Sequence, residues 1–257
     1  MTTDTLNPAT AITGWKSILA TDLDGTFLGG SEADRRELYD YIEANRRHFG
    51  LIFVTGRDPK FIGELCDGGV PWPLYVVGDV GTTIARVADG RIEMIEELER
   101  EIAENWDDRG AFFRELLADA PGLEPQATPF RYRQSFHYDP QAFDDTWVPK
   151  IEEHGVDVLI SDNKYLDVLP KGVSKGPSLL RLIDHLGLDA ERVLVAGDTL
   201  NDLSMFQTGL KGAVVGGAEP ALTAHTDKLP NALACRRIGA GGITEALERF
   251  GLTNLEN

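Results

Sequence analysis

Hydrophobic and polar positions along the chain follow two patterns. In the first, short apolar runs end on a small or acidic residue and give way to an amphipathic stretch. Ile18-Leu19-Ala20 runs into Thr21-Asp22-Leu23-Asp24-Gly25-Thr26-Phe27, Leu51-Ile52-Phe53-Val54 stops at Thr55, and Leu74-Tyr75-Val76-Val77 stops at Gly78-Asp79. Unbroken apolar runs of this length predict strands buried on both faces, as in a parallel sheet. Residues 32–48 have the spacing of an amphipathic helix, and Asp58-Pro59 sets an N-cap residue and a first-turn proline ahead of a helix over 59–66.

The second pattern starts near residue 84. Residues 84–87 and 91–94 flank Ala88-Asp89-Gly90 and predict a hairpin, where the strand–helix alternation breaks. Acidic helices over 93–106 and 109–119, a strand over 130–138 and a helix over 141–154 follow. Two more strands, 156–160 and 164–169, are joined through Ser161-Asp162-Asn163. The first pattern then returns, with a helix over 178–186 and strands at 193–196 and 212–215. The expected fold is α/β, a doubly wound parallel sheet built from residues 1–84 and 167–257 with a smaller α+β unit, 85–166, inserted. There are no repeats and no low-complexity tract.

The chain has 257 residues, 25 Lys plus Arg against 42 Asp plus Glu, and a formal net charge of −17. That charge repels nucleic-acid phosphates and anionic membrane surfaces, so neither is an expected partner. It reads first as a solvated surface, with a salty environment as the alternative. Cys66 and Cys235 make no disulfide framework, which suits a reducing, cytoplasmic setting. Residues 1–14 are polar, lack the apolar core of a signal peptide and read as a mobile tail, and no stretch has the length of a membrane span.

The chemistry concentrates where strands end. In open α/β sheets ligands bind beyond the carboxyl ends of the strands, where Asp22 and Asp24 fall. Asp-x-Asp-Gly also opens calcium loops, but no glutamate follows at the spacing such a loop needs. A second junction, Val193-Leu194-Val195-Ala196-Gly197-Asp198-Thr199-Leu200-Asn201-Asp202, ends in two more acids. With a helix starting near Thr199, Asp198 would cap it and Asp202 would lie one turn on, so both reach one point.

Asp22-Leu23-Asp24-Gly25-Thr26, Val54-Thr55-Gly56-Arg57, Lys175-Gly176 and Gly197-Asp198-Thr199-Leu200-Asn201-Asp202, in that order, resemble the four motifs of the haloacid dehalogenase superfamily. The resemblance implies a Rossmann-like core, with the insert as a C2-type cap that carries substrate choice. Arg133-Gln134-Ser135-Phe136-His137, Asp167-Val168-Leu169-Pro170 and Gly241-Gly242-Ile243 narrow it toward the sucrose-phosphatase group.

On this resemblance Asp22 is the nucleophile and Asp24 the acid–base. Mg²⁺ would be held by Asp22, Asp24 (through its carbonyl), Asp198 and Asp202, the last as ligand or neighbour of one. Thr55, Gly56, Arg57, Lys175 and Asn201 would bind the phosphate. Lys171 competes with Lys175, whose place before Gly176 fits the motif better. In the cap, period-two alternation puts Arg131, Arg133, Ser135 and His137 on one face, where Arg133, Ser135 and His137 become candidate sugar-binding residues over a bland alternative of a solvated face. His48, His154, His185 and His225 read as surface or packing residues. The implied activity is a Mg²⁺-dependent phosphatase of a phosphorylated sugar, such as a disaccharide phosphate, in a monomer or small homo-oligomer. A phosphatase of another sugar phosphate, a phosphomutase and a non-catalytic sugar-phosphate binder remain as alternatives.

Overall fold

A computed structural model of the chain describes residues 15–253; the polar segment 1–14 lies outside the described residues. Strands β1 (Ser17–Thr21), β2 (Phe49–Val54), β3 (Tyr75–Gly78), β4 (Thr83–Ala88) and β5 (Arg91–Met94) come first. β6 (Leu123–Pro125), β7 (Gln134–Tyr138), β8 (Val156–Ser161) and β9 (Tyr165–Pro170) follow, and then β10 (Val193–Gly197), β11 (Lys211–Gly216) and β12 (Ala232–Ile238).

Eight of them form one sheet in the order β12-β11-β10-β1-β2-β3-β4-β5, parallel from β12 to β3 and antiparallel from β3 to β5. The strand order reverses at β1, which lies between β2 and β10, so the crevice at the carboxyl end of β1 is where such a sheet binds ligands. Its residues alternate between two apolar layers. Leu19, Phe49, Leu51 and Phe53 pack on one face, and Ile18, Ala20, Ile52 and Val54 on the other. Burial on both faces is the physical reason these strands read as continuous apolar runs.

The other four strands make an antiparallel sheet, β6-β7-β9-β8. One face, with Phe136, Leu166 and Val168, packs on Trp106, Phe113 and Ile151 from three short helices, Glu96–Trp106, Gly110–Leu116 and Trp147–Glu152. The opposite face carries Ser135, His137 and Asp167 and looks toward the large sheet.

Several expected boundaries move. The division at 84/85 falls inside β4, because β4 and β5 pair onto β3 and extend the large sheet as an antiparallel edge, so the chain leaves that sheet only after Met94. The division at 166/167 falls inside β9 of the small sheet. The strand expected over 130–138 starts at Gln134, behind a turn in which Phe130 N–H donates to Thr128 O at 3.0 Å. The helix expected over 141–154 shortens to Trp147–Glu152. Asp139 and Asp144 accept from the N–H groups of Gln141 and Thr146 (2.9 Å each), and such local side-chain bonds compete with helix. The helix from Glu32 stops at Ala44, and the helix from Lys175 begins three residues earlier than expected. Cys66 and Cys235 are both free and buried.

Candidate active site

Three parallel strands deliver the site. Asp22 follows β1, Thr55 follows β2 and Asp198 follows β10, and because β1 sits between the other two these residues converge by register alone. Gly25 follows with φ 77°, and a Cβ there would lie 2.1 Å from Asp198 Oδ2, so the first loop must be glycine to lie against the second acid.

Asp22, Asp198 and Asp202 each offer a carboxylate oxygen within 4.8 Å of the others. Both oxygens of Asp202 are hydrogen-bonded: one accepts from Lys175 Nζ at 2.6 Å and the other from the N–H groups of Asp198 and Thr199 at 2.9 and 3.0 Å. The cap of this turn is Thr199 rather than the expected Asp198, with Asp202 reaching back to complete a capping box. Asp198 Oδ1 accepts from Thr26 Oγ1 at 2.7 Å. One oxygen of Asp22 and one of Asp198 are thereby left without a protein donor among the described residues. An all-oxygen set of this kind fits a hard divalent cation.

Lys175 is wholly buried and compensates the acids. Its Nζ donates to Asp22 Oδ1 (2.7 Å), Asn201 Oδ1 (2.7 Å) and Asp202 Oδ1 (2.6 Å), which uses all three of its protons. Gly176 permits this placement, since a Cβ there would lie 2.0 Å from Ser204 O. Lys171, the competing lysine, is exposed and pairs with Asp157. Burial pushes the Asp22 carboxyl well above the usual carboxylate range, against the pull of Lys175 and with the repulsion of Asp202. Burial also raises Asp198 to about 6, opposed by the Thr26 hydrogen bond and helped by Asp202. Burial opposes the charge on Lys175, but Asp202 and Asp22 together outweigh it and hold the ammonium protonated. The site is short of positive charge.

Asp24 lies apart from the three-carboxylate group. Its exposed carboxylate is gripped by Arg57, Nε at 2.8 Å and Nη2 at 3.0 Å, and Arg57 stacks on Phe61 at 4.4 Å. Thr55 is buried, and its hydroxyl accepts from Arg57 N–H at 3.2 Å, leaving its proton for another acceptor.

A pocket of about 370 Å³ opens over these groups. Its floor includes Asp22, Asp24, Gly56 and Asn201, and its roof comes from the small sheet and the segment leading to it. His137 lines it. Arg133 and Ser135 are committed differently. Ser135 Oγ donates to Asp167, and the Arg133 guanidinium, 6% exposed, donates to Asp167 Oδ1 and Gly56 O, both at 3.2 Å. Both side chains are thus held by Asp167, and Arg133 also by the Gly56 carbonyl.

Roof residues that the sequence did not mark as part of a site are Gln126, Thr128, Phe130, Ser161, Asp162 and Tyr165. They sit in loops and hairpin ends, where neither periodicity nor motif marks them. Asp167 had a signal, being the one charge in the apolar strand Leu166–Leu169. The remaining histidines stay out of the pocket; His154, for one, packs edge-on against Phe112 and Phe113.

A family model described as Sucrose-6F-phosphate phosphohydrolase matches residues 15–251. Over 238 residues, 91% of this chain, the sequence is 42% identical to a Glucosylglycerol-phosphate synthase of Pseudomonas anguilliseptica, of which it spans 31%. It spans 60% of a Putative HAD-like hydrolase of Nitrosococcus oceani at 27% identity. It is 28% identical over 248 residues to the Mannosylfructose-phosphate phosphatase of Agrobacterium fabrum, covering 91% of this chain and 97% of that one. Among solved structures, the Sucrose-Phosphatase from Synechocystis sp. PCC6803 in complex with sucrose and phosphate superposes with a TM-score of 0.82 at 28% identity, over 92% of this chain and 98% of that one.

Proposed function

The chain belongs to the sucrose-6F-phosphate phosphohydrolase family, and from that premise we propose that it hydrolyses the phosphate monoester of an uncharged glycoside, with Mg²⁺ bound by Asp22 and Asp198. The observation that carries this reading is the pairing of one charge-deficient acidic floor with a roof that offers no unengaged cation. Of the two arginines lining the pocket, Arg57 is held by Asp24 and Arg133 by Asp167. The other charged groups of the lining outside the acidic floor, Asp58 and Asp162, are anionic. A leaving alcohol bearing a carboxylate or a second phosphate would have to compete with Asp24 or Asp167 for an arginine. A sugar or polyol would find hydroxyls, an amide, His137 and the rings of Phe130 and Tyr165.

The chain's residues supply the steps. Asp22 attacks phosphorus as the ester P–O bond breaks, giving a phosphoaspartate and an alkoxide oxygen that takes its proton from Asp24. Asp24 then removes a proton from water, which attacks the same phosphorus and releases inorganic phosphate and Asp22. To act, the Asp24 carboxyl must leave Arg57, and since that pair is exposed the exchange costs about 1 kcal/mol or less. Thr55 donates its hydroxyl proton to a phosphoryl oxygen. Lys175, with its protons committed, acts as a fixed charge that holds Asp22 in line, with Asn201 and Asp202 fixing the lysine. A divalent cation held by Asp22 and Asp198 would supply positive charge that keeps Asp22 ionised and offsets the negative charge of the phosphate.

A panel of phosphate esters tests the reading. With Mg²⁺, sucrose 6-phosphate, mannosylfructose phosphate and glucosylglycerol phosphate should include a good substrate, and a carboxylate-bearing phosphoglycoside should be poor. Preference for the carboxylate-bearing ester would overturn the assignment of a neutral leaving group.

A further inference from the structure

Arg133 is the point at which the two sheets meet in one buried side chain. It precedes β7 of the small sheet, its ring-facing side lies 3.7 Å over Phe130, and its Nη1 holds Asp167 of β9. Its Nη2 crosses to the large sheet and donates to Gly56 O, in the loop that carries Thr55. Nη2 also stands 3.7 Å from Asp79 Oδ1, just beyond hydrogen-bond reach. Asp79 Oδ1 and Arg133 Nε are two of the buried polar side-chain atoms without any partner among the described residues.

The Asp79 loop is strained and central. Asp79, Val80 and Gly81 all have positive φ, at 51°, 62° and 101°. Val80 N–H donates to Thr55 O, Asp79 N–H to Arg57 O, and a Cβ on Gly81 would lie 2.4 Å from the Ser174 carbonyl, the residue before Lys175. The loop is therefore the spacer between the Thr55 loop and the Lys175 helix. Its second carboxylate oxygen accepts from Thr83 Oγ1 at 2.6 Å, which in turn accepts from Arg131 at 3.1 Å, itself paired with Glu99.

We propose that Arg133 is a positioning residue that seats the small sheet on the phosphate-transfer centre, gripping Gly56 O and Asp79 so that Thr55 and Lys175 are brought into line. The unspent pair Arg133–Asp79 makes closure favourable. When the sheets approach by under an ångström, the second N–H of Arg133 Nη2 reaches the orphaned Asp79 Oδ1, and an orphaned buried polar group is costly to leave unmade. This role rests on the proposed phosphatase reaction, but it differs from sugar recognition, because Arg133 acts on protein groups rather than on the leaving alcohol.

The test compares R133Q, D79N and the double variant, each first checked by its unfolding midpoint. Misplacing a transferring group by about 1 Å costs on the order of 100-fold, so kcat should fall about 10- to 100-fold for R133Q on the sugar phosphate and on p-nitrophenyl phosphate alike, with KM little changed. D79N should fall in the same sense, and the double variant should be no worse than R133Q. In the free proteins, amide exchange over residues 55–57 and 79–83 should quicken in both variants. A loss confined to the sugar phosphate or to KM would make Arg133 a sugar-binding residue and overturn the proposal, as would additive losses in the double variant or unchanged exchange. Should R133Q fail to fold, D79N alone decides between these outcomes. Exchange needs no turnover, so it stays readable even if no sugar phosphate proves to be a substrate.

Discussion

Lys175 Nζ lies 2.7 Å from Asp22 Oδ1, in a pair separated by 153 positions in sequence and with the lysine wholly shielded from solvent. Breaking a buried pair by removing one partner leaves an uncompensated charge and typically costs about 3–5 kcal/mol. Lys175→Met should therefore lose turnover and unfold at lower temperature. Because burial holds the Asp22 carboxyl above the usual carboxylate range, a proton can neutralise it, and the loss of stability should be larger at alkaline than at acidic pH. A pH-independent shift in the unfolding midpoint would contradict the charge argument.

The acid pairing predicts how metal-free protein responds to pH. A carboxyl whose folded pKa is raised binds its proton more tightly when folded, so its contribution is present below the unfolded value of 3.8 and is lost as pH rises through the folded value. For Asp198 that window closes at about 6, and for Asp22 it extends higher. Chelator-treated protein should melt progressively lower from about pH 4 upward, and added Mg²⁺ should raise the midpoint most at the alkaline end, where the carboxylates are free to bind it. Calorimetry across that range in chelator and in Mg²⁺ checks both slopes.

Asp24 and Arg57 should separate kinetically. Asp24→Asn removes the proton carrier and should reduce turnover on the order of 10²- to 10⁴-fold. Arg57→Ala frees the carboxylate from an exposed partner and should cost far less. Equal losses in steady-state kcat would show that the ion pair itself is needed for catalysis.

Sugar recognition should map to the roof. His137→Ala and Tyr165→Ala should each weaken kcat/KM for the sugar phosphate by roughly 1–3 kcal/mol, the usual cost of unmatched polar contacts, while p-nitrophenyl phosphate is little affected. The tilted contact of the two rings, with centroids 6.0 Å apart, predicts that the double variant is less than additive.

How much of this was legible in the sequence follows from where each signal resides. Asp22 and Asp198 lie at the ends of buried strands, which local pattern marks, whereas Thr55, also at a strand end, was singled out only by its place in the motif series. The hairpin at Ala88-Asp89-Gly90 was also legible, but not its partner: β4 pairs with β3 through Ile84 and Val77, a contact that turn chemistry does not encode. Arg133 was read onto the face that looks toward the large sheet, but alternation could not name its acceptors, Asp167 Oδ1 and Gly56 O, because both come from segments distant in sequence. Asp202, read as a metal ligand or the neighbour of one, stands in the three-carboxylate group, and its hydrogen bonds to Lys175 and two backbone N–H groups are a second role that spacing does not encode.

The central claim is that Asp22 carries the phosphoryl group, and acid-quenched single turnover followed by peptide mass spectrometry tests it most directly. With Mg²⁺ and a good sugar phosphate, the peptide containing Asp22 should bear a transient phosphoryl group that disappears as inorganic phosphate forms, and Asp22→Asn should give neither. Undiminished phosphate release by folded Asp22→Asn, with no phosphopeptide in the parent protein, would contradict the account.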